Sequence, residues 1–439
     1  MSQQLEGLLR QEEALAPGRT TGMAAAIPAG ASAPRAGAPA ALGPGRRGEL
    51  DVLRALVVVG LVFFHSAVIF GSGEFPLKAD REYLLATVLL AFGATWGMPL
   101  LFVISGMGVW HSLGSRGPAG FARERLRRLG MPLLTGLLIL VPLQVWLGLR
   151  HAGHPAADGR FYLRFWDVRP ALDFPFVLRA APGGGLFQAG HLWFLVCLLG
   201  FTLVLLPVFV LLRPRAGRLA GVLARPWGVL LLALPPAAVE VLAGSEVGHA
   251  AWNDASYALF LIYGFLAAAD PRVGEAFRRR WRPAMALAVL LFLAGGAAYA
   301  AASGHGDPFT AMDPSSLVFR LVKAVDGWLW VVAILGLAGS RPGRPAGSSA
   351  PRGAAARRLG AYANEAVLPF YVLHETVVVA VAAAVLAWSL PAGAQYLLIA
   401  VASLAATLAL YELGVRRSPA TRFLFGLKPA ARDGSTAGR

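Results

Sequence analysis

The fold is decided by stretches such as DVLRALVVVGLVFFHSAVIF, which occupies residues 51–70. A helix needs about 20 mostly apolar residues to cross a bilayer, and this stretch supplies them. Nine further runs of the same kind follow along the chain, at residues 84–110, 130–149, 192–212, 227–243, 252–269, 283–302, 316–339, 364–389 and 395–414. We therefore predict an all-α, polytopic integral membrane protein with ten transmembrane helices.

The overall composition supports a single membrane domain. The chain has 439 residues, of which 56% are hydrophobic and 15% charged, whereas soluble domains carry about 25% charged residues. We assign the membrane domain to residues 49–415. Residues 1–48 lack the apolar core of a signal peptide and are predicted to be a disordered cytoplasmic segment rich in Ala, Gly and Pro. Residues 416–439 are predicted to form a basic cytoplasmic tail.

Basic residues alternate between loops, which predicts the orientation of the chain. Four or five Lys and Arg residues lie in the N-terminal segment and in each of the loops 111–129, 213–226, 270–282 and 340–361, and six lie in the tail. The intervening loops have two, five or none, and the one with five is long. Cytoplasmic loops are enriched in Lys and Arg, so both termini are expected in the cytoplasm. The net charge of +16 thus indicates topology, and no nucleic-acid partner is expected.

Cysteine usage limits the cofactors that the protein can hold. Cys197 is the single cysteine, so a disulfide framework and a Cys-based zinc or iron–sulfur site are excluded. No metal and no permanently bound cofactor are expected.

Ionisable residues inside membrane spans are costly and are therefore functional candidates. Arg54 and His65 are eleven residues apart, almost three helical turns, so they share a helix face and lie roughly 16 Å apart along the axis. Arg54, near the cytoplasmic end, can hold a phosphate, and His65, deeper in the span, can move a proton. The alternatives are a local ion pair of Arg54 with Asp51 and a structural hydrogen bond from His65.

The ninth span contains LPFYVLHE at residues 368–375. Tyr371 and His374 are three residues apart and share a face, and Glu375 follows directly. These groups are candidates for catalysis, in which Glu375 or Tyr371 orients a histidine. The alternative is a structural hydrogen bond between helices, worth about 1 kcal/mol.

Two neighbouring motifs lie towards the predicted cytoplasmic face. LFVISG at 101–106 offers Ser105 as a nucleophile or an oxyanion donor, although a Ser–Gly pair more commonly lets helices approach closely. FARERLRRLGMP at 121–132 forms a cationic cluster that can hold a phosphorylated donor or anionic lipid head groups. Its four arginines are Arg123, Arg125, Arg127 and Arg128.

Three residues are candidates for the external face. GHLWFL at 190–195 places His191 and Trp193 at the outer end of the fourth span, where a Trp is also explained as an interfacial anchor. The external loop 150–191 combines aromatic residues such as Trp166 with aspartates. Such a surface suits a sugar ring, but it equally suits an interfacial aromatic belt. In the eighth span, Lys323 and Asp326 are expected to pair with each other.

Taken in order, the Arg54–His65 element, FVISG with RERLRRLGMP, HLWFL and LPFYVLHE resemble the acyltransferase-3 family of membrane O-acyltransferases. Within that family the chain is most similar to the glucan-modifying (OpgC/MdoC-like) branch. The resemblance implies a multi-pass enzyme of the bacterial inner membrane. It implies transfer of an acyl group, of the acetyl or succinyl class, from cytoplasmic acyl-CoA to a hydroxyl of an extracytoplasmic carbohydrate or glycoconjugate.

The resemblance also implies roles for individual residues. His65 matches the catalytic histidine, Arg54 its partner, and His374 a recurrent histidine of the branch. The expected donor site is Arg54 with the four arginines at 123, 125, 127 and 128, and the expected acceptor site is His191, Trp193 and Trp166. We expect His65 to act as general base, with a covalent intermediate on His65 or Ser105 left open.

Two other functions remain as alternatives. Ten spans with internal charges also suit a secondary transporter of a small anionic or sugar-like solute, although the internal repeat typical of many transporters is not evident. A sensor or scaffold without chemistry is the third possibility, and the four motifs argue against it.

Overall fold

The computed structural model describes residues 44–225, 227–245, 249–340 and 354–429. The predicted disordered segment up to residue 43 and the end of the tail from residue 430 lie outside the described residues. In the described part the chain is helical apart from one small β-hairpin. The first helix begins at Pro44, five residues before the predicted start of the membrane domain.

The helices, in chain order, are α1 (Pro44–Val68), α2 (Leu84–Arg125), α3 (Met131–Thr135), α4 (Val141–His151), α5 (Phe161–Phe165), α6 (Trp193–Val204), α7 (Leu206–Leu212), α8 (Ala216–Leu223), α9 (Gly228–Leu231), α10 (Leu234–Ala243), α11 (Asp254–Ala269), α12 (Pro271–Ser303), α13 (Pro314–Ala338), α14 (Ala354–Val385), α15 (Ala392–Leu410) and α16 (Pro419–Leu424). The π-helical turns are Leu126–Gly130, Gly136–Leu140 and Tyr411–Val415, and a 3₁₀ turn, Gly190–Leu192, precedes α6. The strands are β1 (Val168–Asp173) and β2 (Phe176–Ala180), which pair antiparallel.

The helices have the length and composition of membrane spans. In the described part of the chain, six helices are long and apolar enough to cross a membrane, and the number of candidate spans rises to eight if each of two bent helix pairs counts as one span. These pairs are Gly190–Val204 with Leu206–Leu212 and Ala216–Leu223 with Gly228–Ala243. The six candidates are Glu49–Val68, Leu84–His151, Pro271–Ser303, Pro314–Ala338, Arg358–Val385 and Ala392–Val415. This confirms the all-α membrane architecture, whereas the number of ten and the orientation stay predictions.

The long segment Leu84–His151 contains two of the predicted spans and a break between them. Gly117 interrupts the helix with φ 69° and ψ 174°, a conformation that glycine adopts without steric cost. Pro118 follows and cannot continue the hydrogen-bonding of the preceding turn. The predicted spans 84–110 and 130–149 lie on opposite sides of this break.

Helices α2 and α11 pack at very short range through facing glycines. A Cβ placed on Gly106 would lie 2.0 Å from the carbonyl oxygen of Leu261, and one on Gly264 would lie 1.9 Å from that of Val103. Small residues of this kind let membrane helices approach closely. The structure thus favours the packing interpretation of the Ser105–Gly106 pair.

A buried polar network joins α10, α11 and α13, and it corrects one prediction. Lys323 does not pair with Asp326, because its Nζ lies 2.9 Å from Oε2 of Glu240 on α10. Glu240 is fully buried and also accepts hydrogen bonds from Ser245 and Ser256, both at 2.6 Å. A buried carboxylate is stable only when it is paired and hydrogen-bonded, and Glu240 meets that condition with partners distant in sequence.

The loop 150–191 and the tail both pack on the helices of the membrane domain. Phe176, at the start of β2, stacks on His249 with ring centroids 4.7 Å apart. In the predicted tail, Arg422 on α16 forms an ion pair with Glu365 of α14 at 2.9 Å. The tail therefore continues as an ordered element at least through α16.

The Lys323–Glu240 pair should be required for stability. Lys323→Met leaves the Glu240 carboxylate buried without its cation, and we expect the free energy of unfolding to fall by about 3–5 kcal/mol. Thermal unfolding of the detergent-solubilised protein measures the change. Arg279→Met removes the exposed Arg279–Glu275 pair and serves as the control, with an expected loss below about 1 kcal/mol. Equal melting temperatures for the two variants would contradict a structural role for the buried pair.

Candidate active site

Three histidines and one glutamate from separate parts of the chain meet near the C-terminal end of α1. His65 comes from α1, His191 from the 3₁₀ turn before α6, and His374 and Glu375 from α14. Helix α14 packs along α1, which brings these groups together although they are up to 310 residues apart. All four were predicted as site residues, and the structure places them in one cluster.

Glu375 holds two of the histidines. Its Oε2 lies 3.3 Å from Nε2 of His65, and its Oε1 lies 3.7 Å from Nδ1 of His191. The amide of Gln144, oriented with its nitrogen towards Glu375, donates to Oε1 at 3.2 Å and accepts from the Thr376 hydroxyl at 2.7 Å. The carboxylate is thereby bound from both oxygens, as a buried charge requires.

The contact with Glu375 determines which nitrogen of His65 carries the proton in the neutral imidazole. A neutral imidazole has one N–H donor and one acceptor nitrogen. Because Nε2 faces the carboxylate, the proton belongs on Nε2 and the lone pair on Nδ1. Nδ1 is buried and has no hydrogen-bond partner among the described residues. Phe75 stacks against the ring, with centroids 5.8 Å apart.

His374 lies between the other two histidines. Its ring centroid is 5.2 Å from those of both His65 and His191. Its Nδ1 lies 2.6 Å from the carbonyl oxygen of Tyr371 and donates to it, while Nε2 is buried without a partner in the described part of the chain. The Tyr371 hydroxyl donates to the carbonyl oxygen of His191 and so fixes the turn that carries this histidine.

A small cavity of about 60 Å³ lies beside these groups. Four of the predicted site residues line it, namely His65, His191, Trp193 and Tyr371. The other lining residues are Leu61, Phe64, Gly93, Ala94, Gly97, Met98 and Ala250. His374 and Glu375 are not among the residues that line the cavity, so they act on it through His65 and His191. The arrangement provides a general base with a carboxylate that orients it, the pattern used to activate a hydroxyl.

Arg54 lies on the same helix, eleven residues before His65 and towards its N-terminal end. Its Nη2 lies 3.0 Å from Asp51 and 2.6 Å from Oδ1 of Asn364, so the predicted local ion pair is present. Nε is nevertheless buried with no partner among the described residues. Arg54 is also close enough to Arg125 and Arg128 for their charges to interact.

The four arginines after the Gly117 break separate into two kinds. Arg125 is partly buried, and its guanidinium lies 5.0 Å from the centroid of the Phe121 ring. Arg123, Arg127 and Arg128 are exposed. Of the four, Arg125 and Arg128 are the ones whose charges interact with that of Arg54.

An apolar groove of about 390 Å³ lies along the middle of α1, from Leu53 to Phe64. It begins at Leu53, next to Arg54, and runs between α1, α2 and α13. It shares Leu61, Phe64, Gly93 and Gly97 with the cavity beside His65. The shared residues place the groove directly beside the cavity, and neither Arg54 nor His65 lines the groove itself.

Two predicted site residues lie elsewhere. Ser105 lines neither the cavity nor the groove, and it precedes the Gly106 contact with α11. Trp166 packs into an aromatic cluster with Phe165 and Phe187, at centroid distances of 5.3 Å and 5.6 Å. Neither residue contacts the histidine cluster.

Several residues that complete the site were not predicted from the sequence. Gln144 and Asn364 are amides within predicted spans, and their rarity in such positions was a usable signal. Phe75 and the glycines at 93 and 97 carry no local signal, because their importance depends on neighbours from other helices. Among the described residues, no group of three or more His, Cys, Asp or Glu is arranged to hold a metal ion.

Comparison with known proteins identifies the family. The sequence model of the acyltransferase-3 family, described as an acyltransferase domain, matches residues 47–412. No curated protein and no solved structure gives a significant match. The matched region includes all the residues of the cluster, the cavity and the cationic end of α1. The chain therefore belongs to the acyltransferase-3 family and is a membrane acyltransferase.

Proposed function

We propose that the protein transfers an acyl group from cytoplasmic acyl-CoA to a hydroxyl of an extracytoplasmic carbohydrate or glycoconjugate, with His65 as general base. One observation carries the proposal. Glu375 faces Nε2 of His65, which leaves the buried Nδ1 without a partner beside an accessible cavity. A fixed tautomer with a free lone pair is the state that a general base needs.

The proposed reaction is a direct transfer. Nδ1 of His65 takes the proton of the acceptor hydroxyl as its oxygen attacks the thioester carbonyl. The carbon–sulfur bond then breaks, and the CoA thiolate takes the proton from His65. Glu375 stabilises the transient imidazolium, as the carboxylate does in other His-based acyl transfers. Ser105 lies away from the cavity, so direct transfer is favoured over a covalent intermediate on that residue.

The donor is proposed to enter from the cytoplasmic side. Arg54, Arg125 and Arg128 supply positive charge for the CoA phosphates, partly balanced by Glu124, which pairs with Arg125 and Arg128. The Nε of Arg54, which has no hydrogen-bond partner among the described residues, offers a donor. The groove leads from this end to His65, a distance of roughly 16 Å along the helix. An extended pantetheine arm can follow this path, so that charged and reactive parts of the donor bind at opposite ends.

This direction of transfer depends on the proposed topology. We propose ten spans with both termini in the cytoplasm, as the alternation of basic loops indicates, and residence in a bacterial inner membrane. The break at Gly117 and the shorter α11 account for the two spans beyond the eight counted by length. Membership of the glucan-modifying branch is proposed from the sequence motif LPFYVLHE, whose His374 matches a recurrent histidine of that branch.

The transporter alternative is not favoured. Family membership indicates an acyltransferase, and the groove that enters the protein is lined by apolar residues. Such a lining is unsuited to a sugar-like or anionic solute.

Removal of His65 should abolish transfer. We expect His65→Ala to lower turnover of acyl-CoA by about 10²–10⁴-fold, because general base catalysis contributes about that much. Release of free CoA thiol measures turnover, and thermal unfolding confirms that the variant is folded. His305→Ala, at an exposed site in an external loop, is the matched control. Undiminished thiol release by His65→Ala would remove this residue from the mechanism.

Glu375→Gln tests the orientation of His65. The amide keeps the size of the side chain but removes the charge that stabilises the imidazolium, so kcat should fall by roughly 10²–10⁴-fold. The KM for the donor should stay unchanged, since Glu375 does not line the groove. Glu412→Gln, the same substitution in the π-helical turn Tyr411–Val415, is the control and should leave kcat unchanged. A change in KM alone would place Glu375 in binding instead of catalysis.

Arg54→Ala tests the donor site. Loss of a charged hydrogen-bond donor to phosphate is expected to weaken acyl-CoA binding by about 10–100-fold, equivalent to about 1.5–3 kcal/mol. Titration of the purified protein with acyl-CoA gives the Kd. Arg279→Ala removes an exposed arginine from another basic loop and should bind as the wild type does. An unchanged Kd for Arg54→Ala would rule out the phosphate role.

A further inference from the structure

The space beside His65 exists because one face of α2 has almost no side chains. Gly93, Ala94 and Gly97 form the wall of the cavity opposite α1. Gly97 is buried, yet a Cβ placed on it would have no heavy atom within 4 Å. The space over Gly97 is therefore empty, and this void belongs to both the cavity and the groove. At Gly93 a Cβ would lie 2.7 Å from the Phe64 ring, so that ring closes the cavity there.

The position of this void suits the acyl end of a thioester. Gly97 lies where the groove and the cavity meet, since it lines both. A chain that enters from Leu53 reaches the void just before it reaches His65. The carbonyl carbon that His65 would help to attack must lie at this junction, with the rest of the acyl group in the space over Gly97.

The size of the cavity limits the length of the acyl group. A bound water needs roughly 10–15 Å³ of such space, so about 60 Å³ holds only a few non-hydrogen atoms. An acetyl group, the thioester sulfur and the attacking oxygen fill it. Met98, which lines the cavity one residue after Gly97, bounds the room for additional carbons.

The charges around the cavity limit the chemistry of the acyl group. None of the described residues that line it is a lysine or an arginine. The nearest fixed charge is the Glu375 carboxylate, which already faces His65 and His191. A second carboxylate on the acyl group would be desolvated without a cation and repelled by Glu375.

From these features we infer that the acyl group binds in the void over Gly97, and that the site accepts short, uncharged acyl groups and rejects dicarboxylic ones. Gly97 and Met98 set the limit of length. This inference rests on the proposed function and decides between the acetyl and succinyl classes that the sequence left open.

The ranking of donors by the wild-type protein is the first test. Release of CoA thiol is measured with acetyl-, propionyl-, butyryl- and succinyl-CoA, in each case against His65→Ala. We expect kcat/KM for acetyl-CoA to exceed the values for butyryl- and succinyl-CoA by about tenfold or more, since one extra methylene alone can be worth that much. Equal or faster turnover of succinyl-CoA would overturn the inference.

Two variants test the residues that set the limit. Gly97→Ala adds a methyl group to the void and should raise the acetyl-to-propionyl ratio of kcat/KM by about tenfold. Gly296→Ala is the matched control, because a Cβ on this exposed glycine of α12 also has no heavy atom within 4 Å and lies outside the cavity. Met98→Ala should increase turnover of butyryl-CoA by about tenfold relative to acetyl-CoA. A Gly97→Ala ratio equal to that of Gly296→Ala, or a Met98→Ala ranking equal to the wild type, would contradict the assignment.

The outcomes separate this inference from the proposed function. His65-dependent turnover that favours succinyl-CoA would keep the acyltransferase mechanism and reject only the short, uncharged acyl pocket. If folded wild-type protein turns over none of the four donors, with any carbohydrate added, the proposed function and this inference are both contradicted.

Discussion

The structure of the site depends on one buried carboxylate. Glu375 lies within a membrane helix, where an unpaired charge costs several kcal/mol, and it is stabilised by His65 and His191. Its two oxygens thereby require α1, α14 and the turn before α6 to meet at one point. The same contact selects the tautomer of His65 and leaves Nδ1 as the unprotonated nitrogen. One electrostatic requirement thus links the packing of three elements to the protonation of this histidine.

The second feature is the separation of charge along α1. Arg54 and its neighbouring arginines lie at one end, an apolar groove follows, and the histidine cluster lies at the other end. Under the proposed function this order matches the donor, which has charged phosphates, a long arm and a reactive thioester. The bilayer-embedded path would keep water away from the thioester, and the external side would remain free for the acceptor.

Helical periodicity and motif order allowed much of this to be predicted from sequence. Arg54 and His65 were assigned to one helix, and the structure places both on α1, with His65 lining the cavity and Arg54 bound to Asp51 and Asn364. The partners of buried charged residues were harder to predict from the sequence. Lys323 pairs with Glu240 instead of Asp326, because the partner comes from another helix whose position local spacing cannot give. The void at Gly97 is likewise created by neighbours that only the folded chain brings together.

The central claim is that the donor's thioester binds beside Nδ1 of His65 at the end of the groove. A cryo-EM structure with a non-hydrolysable acetyl-CoA analogue, in which a methylene replaces the thioester sulfur, tests it most directly. The account predicts phosphates beside Arg54, the arm along the groove, and the acyl group over Gly97 with space for an acceptor oxygen about 3–3.5 Å from its carbonyl carbon. An analogue whose acyl end lies away from His65, or whose phosphates bind another basic loop, would contradict it.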